Sequence, residues 1–264
     1  NAPFADDDVV IRTLEYAAGL GMTVVFYAEE HQIAKDGCAH EGFIASRQGL
    51  PMIPALAETV AIAKYLLMIE VTKVRAHFGL LSCGTSVELI KIAKDKGLPV
   101  TADVAMHQLH LTESLTDGFN SLAHVRPPLR AEKDKQLLRQ GVKDGVIDAI
   151  CTHHEPLSSS AKLAPFAETQ PGMTAFDTYV AFGIQLVNEG LFEPLEWVEK
   201  VTLAPAKVAN MVDRWTEESG WALIDPKLEW MVSKESILSQ GKNTPLINQK
   251  VVGKVVQTFV AQLI

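Results

Sequence analysis

The chain has 264 residues, 47% of them hydrophobic, enough for one large core or two modest ones. Its 32 acidic and 24 basic residues leave a formal net charge of −8, with no Lys/Arg cluster interleaved with aromatics, which argues against a nucleic-acid partner. Cys38, Cys83 and Cys151 form no C-x-x-C pair and read as buried, reduced thiols of a cytoplasmic protein, and no apolar run reaches the roughly 18 residues of a bilayer span.

Short β-branched runs alternate with longer amphipathic stretches. A helix is predicted over residues 6–19, then a strand over 22–27 (MTVVFY), a helix over 54–71, a strand over 74–80 (VRAHFGL) and a helix over 86–96. A strand over 98–104 (LPVTADV), a helix over 131–143 and a strand over 146–151 (VIDAIC) follow. Gly21, Gly97 and Gly145 punctuate the helix-to-strand turns. Helices are expected over 173–189 and 193–201, and the chain turns strand-like from Gly220, in WALIDP, LEWMV and VVGKVVQTFVA. The segment 54–71 is the most apolar of all, interrupted only by Glu58, Lys64 and Glu70. Repeated strand–helix units imply a parallel α/β sheet, and four of them fit half a (β/α)₈ barrel as well as an open doubly wound sheet.

In either fold the chemistry sits at the C-terminal ends of the strands. Those ends read Tyr27-Ala28-Glu29-Glu30, Leu80-Leu81-Ser82-Cys83, Val104-Ala105-Met106-His107 and Thr152-His153-His154-Glu155. A metallohydrolase would gather His and Asp from several of them, yet only the last offers histidines at the strand end. Neighbouring residues of an extended strand point to opposite faces, so His153 and His154 are not expected to chelate one ion together. His77, His107 and His110 read as hydrogen-bonded structural histidines, and Glu29-Glu30 as a surface acidic pair. No phosphate-loop, dinucleotide, nucleophile-elbow or H-E-x-x-H motif is present.

Several stretches carry a family resemblance: FADDD (4–8), LEYAAGLGM (14–22), AEEHQIAKDGCAHEGFIASRQGLPMIPALAE (28–58), SVELIKIAKDKGLPVTADV (86–104), RPPLR (126–130), DGVIDAICTHHEP (144–156), Pro171-Gly172 and SQGKNTPL (239–246). In these the chain resembles the dihydroorotase branch of the amidohydrolase superfamily, almost end to end. The resemblance implies a (β/α)₈ barrel with a small β-rich domain drawn from both chain ends. Residues 1–219 would be the C-terminal portion of the barrel, its last four βα units, and residues 220–264 the β-rich tail. The chain starts at Asn1 without an initiator methionine, so the first four strands, with an H-x-H motif and a bridging Lys or Asp, are expected upstream.

The resemblance also names the residues that carry the family's chemistry. Tyr27 stands where the family has the metal-binding His of H-A-E-D, and Leu80 where a second strand end supplies another. Met106-His107-Gln108-Leu109 stands for P-H-H-L. Arg126 replaces the substrate-holding Asn of N-P-P-L-R. In the T-D-H-A-P-H loop, His153 takes the place of the proton-accepting Asp, and Leu157 that of the final His. Leucine has no lone pair and a neutral phenol is a poor zinc ligand, so no catalytic, cofactor or metal site is expected among these degenerate positions. The implied reading is a non-catalytic dihydroorotase homologue of the cytoplasm, without a cofactor, assembled as a hetero-oligomer with the catalytic chain of aspartate transcarbamoylase in pyrimidine biosynthesis. The loops near 35–47 and the tail from Gly220 are the candidate contact surfaces. The alternative is an active zinc-dependent cyclic amidohydrolase with an altered site, using His153 and Glu155.

Overall fold

The computed structural model describes residues 6–212 and 220–259. The amphipathic first segment forms α1 (Asp7–Gly19), which buries Leu14 and Ala17 and hands the chain to β1 (Thr23–Tyr27). The 4–8 stretch of the resemblance lies partly outside the described residues. After β1 come four short elements that hydrophobic periodicity does not announce: α2 (His31–Ala34), β2 (Ala39–His40), α3 (Phe43–Gln48) and β3 (Met52–Ile53). The regular alternation then resumes with α4 (Ala55–Thr72), β4 (Arg75–Gly79), α5 (Gly84–Asp95), β5 (Val100–Ala105), α6 (Glu132–Lys143) and β6 (Ala149–Cys151). Gly97 and Gly145, at φ +77° and +74°, make the tight left-handed turns from α5 and α6 into the strands that follow.

β1, β4, β5 and β6 form one parallel sheet in chain order. Parallel crossovers are right-handed, so an unreversed strand order sends every helix to the same face. A doubly wound sheet needs a reversal of order to cover both faces; this sheet has none, as expected of a segment of a (β/α)₈ barrel. The register separates the two faces. Phe26, Phe78 and Ala102 lie level and, with Val100, Val104 and Ile150, are buried in the main core with Leu14, Ile62, Ile69, Ile90 and Leu138 of the helices. Val25, His77 and Thr101 lie level on the other, inner face, and so do Asp103 and Cys151, one residue either side of the Val104–Ile150 pair. That inner face is polar where it is buried: His77 hydrogen-bonds Thr101 Oγ1 at 2.8 Å and Asp103 Oδ2 at 2.9 Å, and Cys151 Sγ lies 3.3 Å from Asp103 Oδ1. His77 is thus the hydrogen-bonded structural residue expected.

Three expectations about elements are corrected. The helix expected over 173–189 is α7 (Tyr179–Asn188) alone. Residues 173–176 are drawn into tertiary bonds instead: Thr174 Oγ1 donates to the Gly241 carbonyl and Asn243 Oδ1, and the amides of Ala175 and Phe176 donate to His154 Nδ1. The strand over 146–151 shortens to 149–151, because Ile147 N still bonds Gly141 O of α6 and bonding to β5 starts only with Asp148 N to Ala102 O. Beyond α8 (Pro194–Val201) and an unanticipated α9 (Leu203–Val208), WALIDP and LEWMV are one strand, β7 (Trp221–Met231), that pairs antiparallel with β8 (Lys250–Phe259). The register slips between Asp225 and Glu229, the irregularity at which a strand tolerates Pro226. The end of the third predicted tail strand, beyond Phe259, lies outside the described residues.

The ribbon lies against α7, where Gly253 (φ +96°) passes so close that a Cβ would come within 2.8 Å of Ile184. Val232, Ile237 and Leu246 belong to the same buried cluster as the sheet. The expected boundary between 219 and 220 falls at residues 213–219, outside the described residues. Among the described residues no helix is long and apolar enough to cross a membrane.

Candidate functional site

A cavity of about 550 Å³ opens at the C-terminal ends of β1 and β4. Tyr27, Leu80, Arg126, His153 and Glu155 all line it, so the fold gathers four of the five degenerate positions and the one alternative acid. Leu157 does not line it: its backbone N–H donates to Asn243 Oδ1 at 2.7 Å.

The strand ends keep an unusual backbone. Leu80 and His153 both sit in the left-handed region, at φ +62° and +45°, where a side chain beyond glycine costs roughly 1–3 kcal/mol. Asp103 holds the first of these turns by accepting Leu80 N at 2.8 Å on Oδ1, while its carbonyl accepts Leu81 N at 3.0 Å. These geometries present the side chains at 80 and 153 to the cavity, and the side chain presented at 80 is an aliphatic one.

Charge in the cavity is largely internally matched. Arg126 grips Glu29 with two nitrogens, Nε lying 3.2 and 3.0 Å from the two carboxylate oxygens, in a half-buried pair. Glu30 pairs with Lys64 at 3.1 Å. The two glutamates are therefore committed ion-pair partners, contrary to the expected surface acidic pair. Deeper in, Glu58 of α4 is buried and accepts Ser82 N at 3.0 and 3.1 Å, Ser82 Oγ, and Cys83 N at 3.3 Å. Arg130 Nε donates to the same Ser82 hydroxyl at 3.0 Å, and its Nη1 donates to the Ile53 carbonyl at 2.7 Å and lies 3.2 Å from His40 Nδ1. Because arginine only donates, His40 Nδ1 accepts here. Burial and the guanidinium lower the His40 pKa to about 4. Glu58, Ser82 and Arg130 were not singled out from sequence, although a charge inside the most apolar helix is the signal that marks Glu58.

The two loop histidines part company as expected. His154 Nδ1 accepts two backbone amides and its Nε2 meets Ser239 Oγ at 3.1 Å, which makes it a loop anchor. His153 points to the cavity, with Nε2 3.6 Å from Glu155 Oε2 and Nδ1 buried without a partner. Its ring stacks on His107 at 5.4 Å between centroids. His107 is not the hydrogen-bonded residue expected: both ring nitrogens are buried and unpartnered, and burial, with His153 and His110 nearby, lowers its pKa to about 3. His110 Nε2 is likewise unpartnered, its ring stacked on Phe182 at 4.2 Å. Cys38 and Cys83 are buried and Cys151 half-buried, all three free.

Among the described residues no group of three or more His, Cys, Asp or Glu side chains is arranged to hold a metal ion. The donor set does not fit the zinc site that the resemblance implies: Leu80 supplies no lone pair, Tyr27 is 71% exposed and supplies a phenol, and Glu29 is taken by Arg126.

No family model matches the chain. Dihydroorotase-like proteins of Pseudomonas aeruginosa and Pseudomonas putida are 40% and 42% identical to it over 260 and 252 residues, or 97% and 94% of this chain. A dihydroorotase of Syntrophus aciditrophicus is 34% identical over 98% of the chain. The chain belongs to the dihydroorotase family. It spans only 59–61% of the length of these relatives. Among solved structures, a D-hydantoinase (dihydropyrimidinase) from Thermus sp. superposes with a TM-score of 0.85 at 18% identity, covering 97% of this chain and 59% of that one. An L-hydantoinase (dihydropyrimidinase) from Arthrobacter aurescens gives 0.85 at 20%, covering 98% and 60%. At that identity the likeness establishes the fold alone: the parallel sheet with its helices is part of an α/β barrel, and the chain covers about three fifths of each of these structures.

Proposed function

We propose that this chain belongs to a catalytically inactive dihydroorotase-like subunit of the cytoplasm, a structural partner that assembles with the catalytic chain of aspartate transcarbamoylase and needs no metal or other cofactor. The observation that carries this reading is the cavity at the strand ends: a leucine and an exposed phenol stand at two ligand positions, and an Arg–Glu ion pair fills the substrate side. A barrel that keeps its strained loop geometry, core and turns while losing its ligands is retained for its surface. The loops near 35–47 and the tail from Gly220 remain the candidate contact surfaces.

Two measurements test the proposal. The purified complete protein is expected to hold well under one zinc per chain after dialysis, and neither to close carbamoyl aspartate nor to open dihydroorotate above background. One tightly held ion per chain, with turnover, would overturn the inactive reading. Mixed with aspartate transcarbamoylase catalytic chains at micromolar concentration, it is expected to sediment as one large hetero-oligomer; independent sedimentation would overturn the assembly role. The second reading, an altered zinc-dependent cyclic amidohydrolase, draws on His153 facing Glu155 across 3.6 Å inside the same cavity. It requires turnover that survives purification and disappears in His153→Ala.

A further inference from the structure

A second cleft, of about 520 Å³, lies between the turn that ends α2 and the loops at 124–126 and 167–171. It shares only the Arg126–Glu29 pair with the strand-end cavity. Its floor is built from buried polar groups. His124 is 6% exposed, and its ring stacks on Phe166 at 4.9 Å between centroids. Nδ1 of that ring lies 2.7 Å from Thr169 Oγ1, and the hydroxyl gives its one hydrogen to the Phe166 carbonyl at 2.7 Å. The imidazole hydrogen therefore sits on Nδ1, and Nε2 holds a lone pair. Nε2 has no hydrogen-bond partner and is not sealed off from the cleft. Burial, with Lys162 and Arg126 nearby, lowers the His124 pKa to about 4, so the ring is a neutral acceptor at pH 7. The backbone beneath it is tied down by the buried Lys162, whose Nζ donates to the His124 carbonyl at 2.9 Å and the Gln170 carbonyl at 2.7 Å. A fixed acceptor without a donor, at the floor of a cleft, is an unfinished hydrogen bond.

The rim supplies charge of both signs. Lys35 and Asp36 line the cleft, and neither side chain makes a hydrogen bond or an ion pair. Arg126 holds Glu29 through Nε and Nη2, which leaves Nη1 uncommitted. Two cations and two carboxylates thus face one space, with no net charge. We propose that this cleft binds a free α-amino acid as its zwitterion. The ammonium group donates to His124 Nε2 and faces Asp36, while the carboxylate accepts from Lys35 and from Arg126 Nη1. A dianion would meet the carboxylates of Asp36 and Glu29, and a simple amine would leave both cations unmatched. Only a ligand carrying both charges completes the floor and the rim together. A cleft of this volume admits the side chain as well as the main-chain groups.

The test uses the purified complete protein, free of other chains. Each common L-amino acid is titrated by ligand-detected NMR and calorimetry, with methylamine and acetate as probes of the two halves. At least one amino acid is expected to bind, and neither half-probe at the same concentration. Lys35→Gln, a change at an exposed side chain, is expected to weaken binding at least about tenfold, the worth of one charge-assisted hydrogen bond. His124→Phe keeps the stacking on Phe166, removes the acceptor and is expected to weaken binding as much. Absence of binding by every amino acid at tens of millimolar would overturn the proposal. So would acetate or methylamine binding as tightly as the amino acid, or an affinity unchanged in either variant, which would put the ligand elsewhere. None of these readouts involves turnover, zinc or aspartate transcarbamoylase, so the inactive-subunit reading holds or fails separately.

Discussion

His107 is an imidazole placed where neither nitrogen has a partner, which costs more than an apolar ring of the same shape would. Replacing it by Phe keeps the stacking on His153 and removes two unpaired polar atoms, so His107→Phe is expected to raise unfolding stability by about 1 kcal/mol in urea titrations at pH 7. A loss of stability would mean that the nitrogens are satisfied in solution. The same burial sets the acid response of the protein. His40 and His124 titrate at about 4, and His107 and His110 at about 3, each lowered first by burial. An unfolded histidine titrates near 6.5. Between about 6.5 and 3–4 the unfolded chain therefore binds more protons than the folded one, and stability rises with pH across that window. What the neutral rings contribute is fully present above about 6.5 and lost as pH falls towards 3. Unfolding midpoints followed from pH 7 to pH 4 should drop steadily, with a shallower slope in His107→Phe.

At the level of elements, Glu58 ties α4 to the end of β4, and through Ser82 to Arg130 and the short β2–β3 insertion. Glu58→Ala leaves two buried amides and the Ser82 hydroxyl without their acceptor, and a loss of about 1–3 kcal/mol, the cost of an unsatisfied buried polar group, is expected at least. Glu58→Gln keeps an acceptor and should lose less; equal losses would assign the effect to packing instead of hydrogen bonding. The sequence carried the regular elements well, because β-branched runs and helical periodicity are local signals that burial reinforces: α1, α4, α5 and α6 lie within two residues of their expected bounds. It missed the four short elements between β1 and α4, whose bonds run to distant partners, and the head of the 173–189 helix, whose amides serve His154. The site was legible only through family resemblance. Local pattern places Tyr27, Leu80 and His153 at strand ends, yet nothing local says that Glu29 faces Arg126 97 positions away. Leu157 shows the limit of position-matching: it occupies a family motif and stands outside the cavity.

Among the described residues the four-stranded parallel sheet has two unpaired edges. β1 and β6 each pair on one side only, and helices cover one face. Parallel sheets are stable when both faces are covered, and a free parallel edge is a template for pairing with other chains. The inner face divides unevenly in this respect. His77, Thr101, Asp103 and Cys151 satisfy one another, so that part of the layer is complete within the chain. Val25 and Tyr27 on the edge strand are 52% and 71% exposed. The deficit is therefore at β1, where a further barrel strand would both pair the edge and cover these side chains. Residues 1–264 expressed by themselves are expected to aggregate or to bind a hydrophobic dye without a cooperative thermal transition. Joined to the four βα units that complete the barrel in a full-length dihydroorotase-family protein, the same residues should become soluble and unfold in one step. A monomeric, cooperatively unfolding 1–264 would instead mean that the polar inner layer and the tail ribbon are sufficient to hold half a barrel on their own.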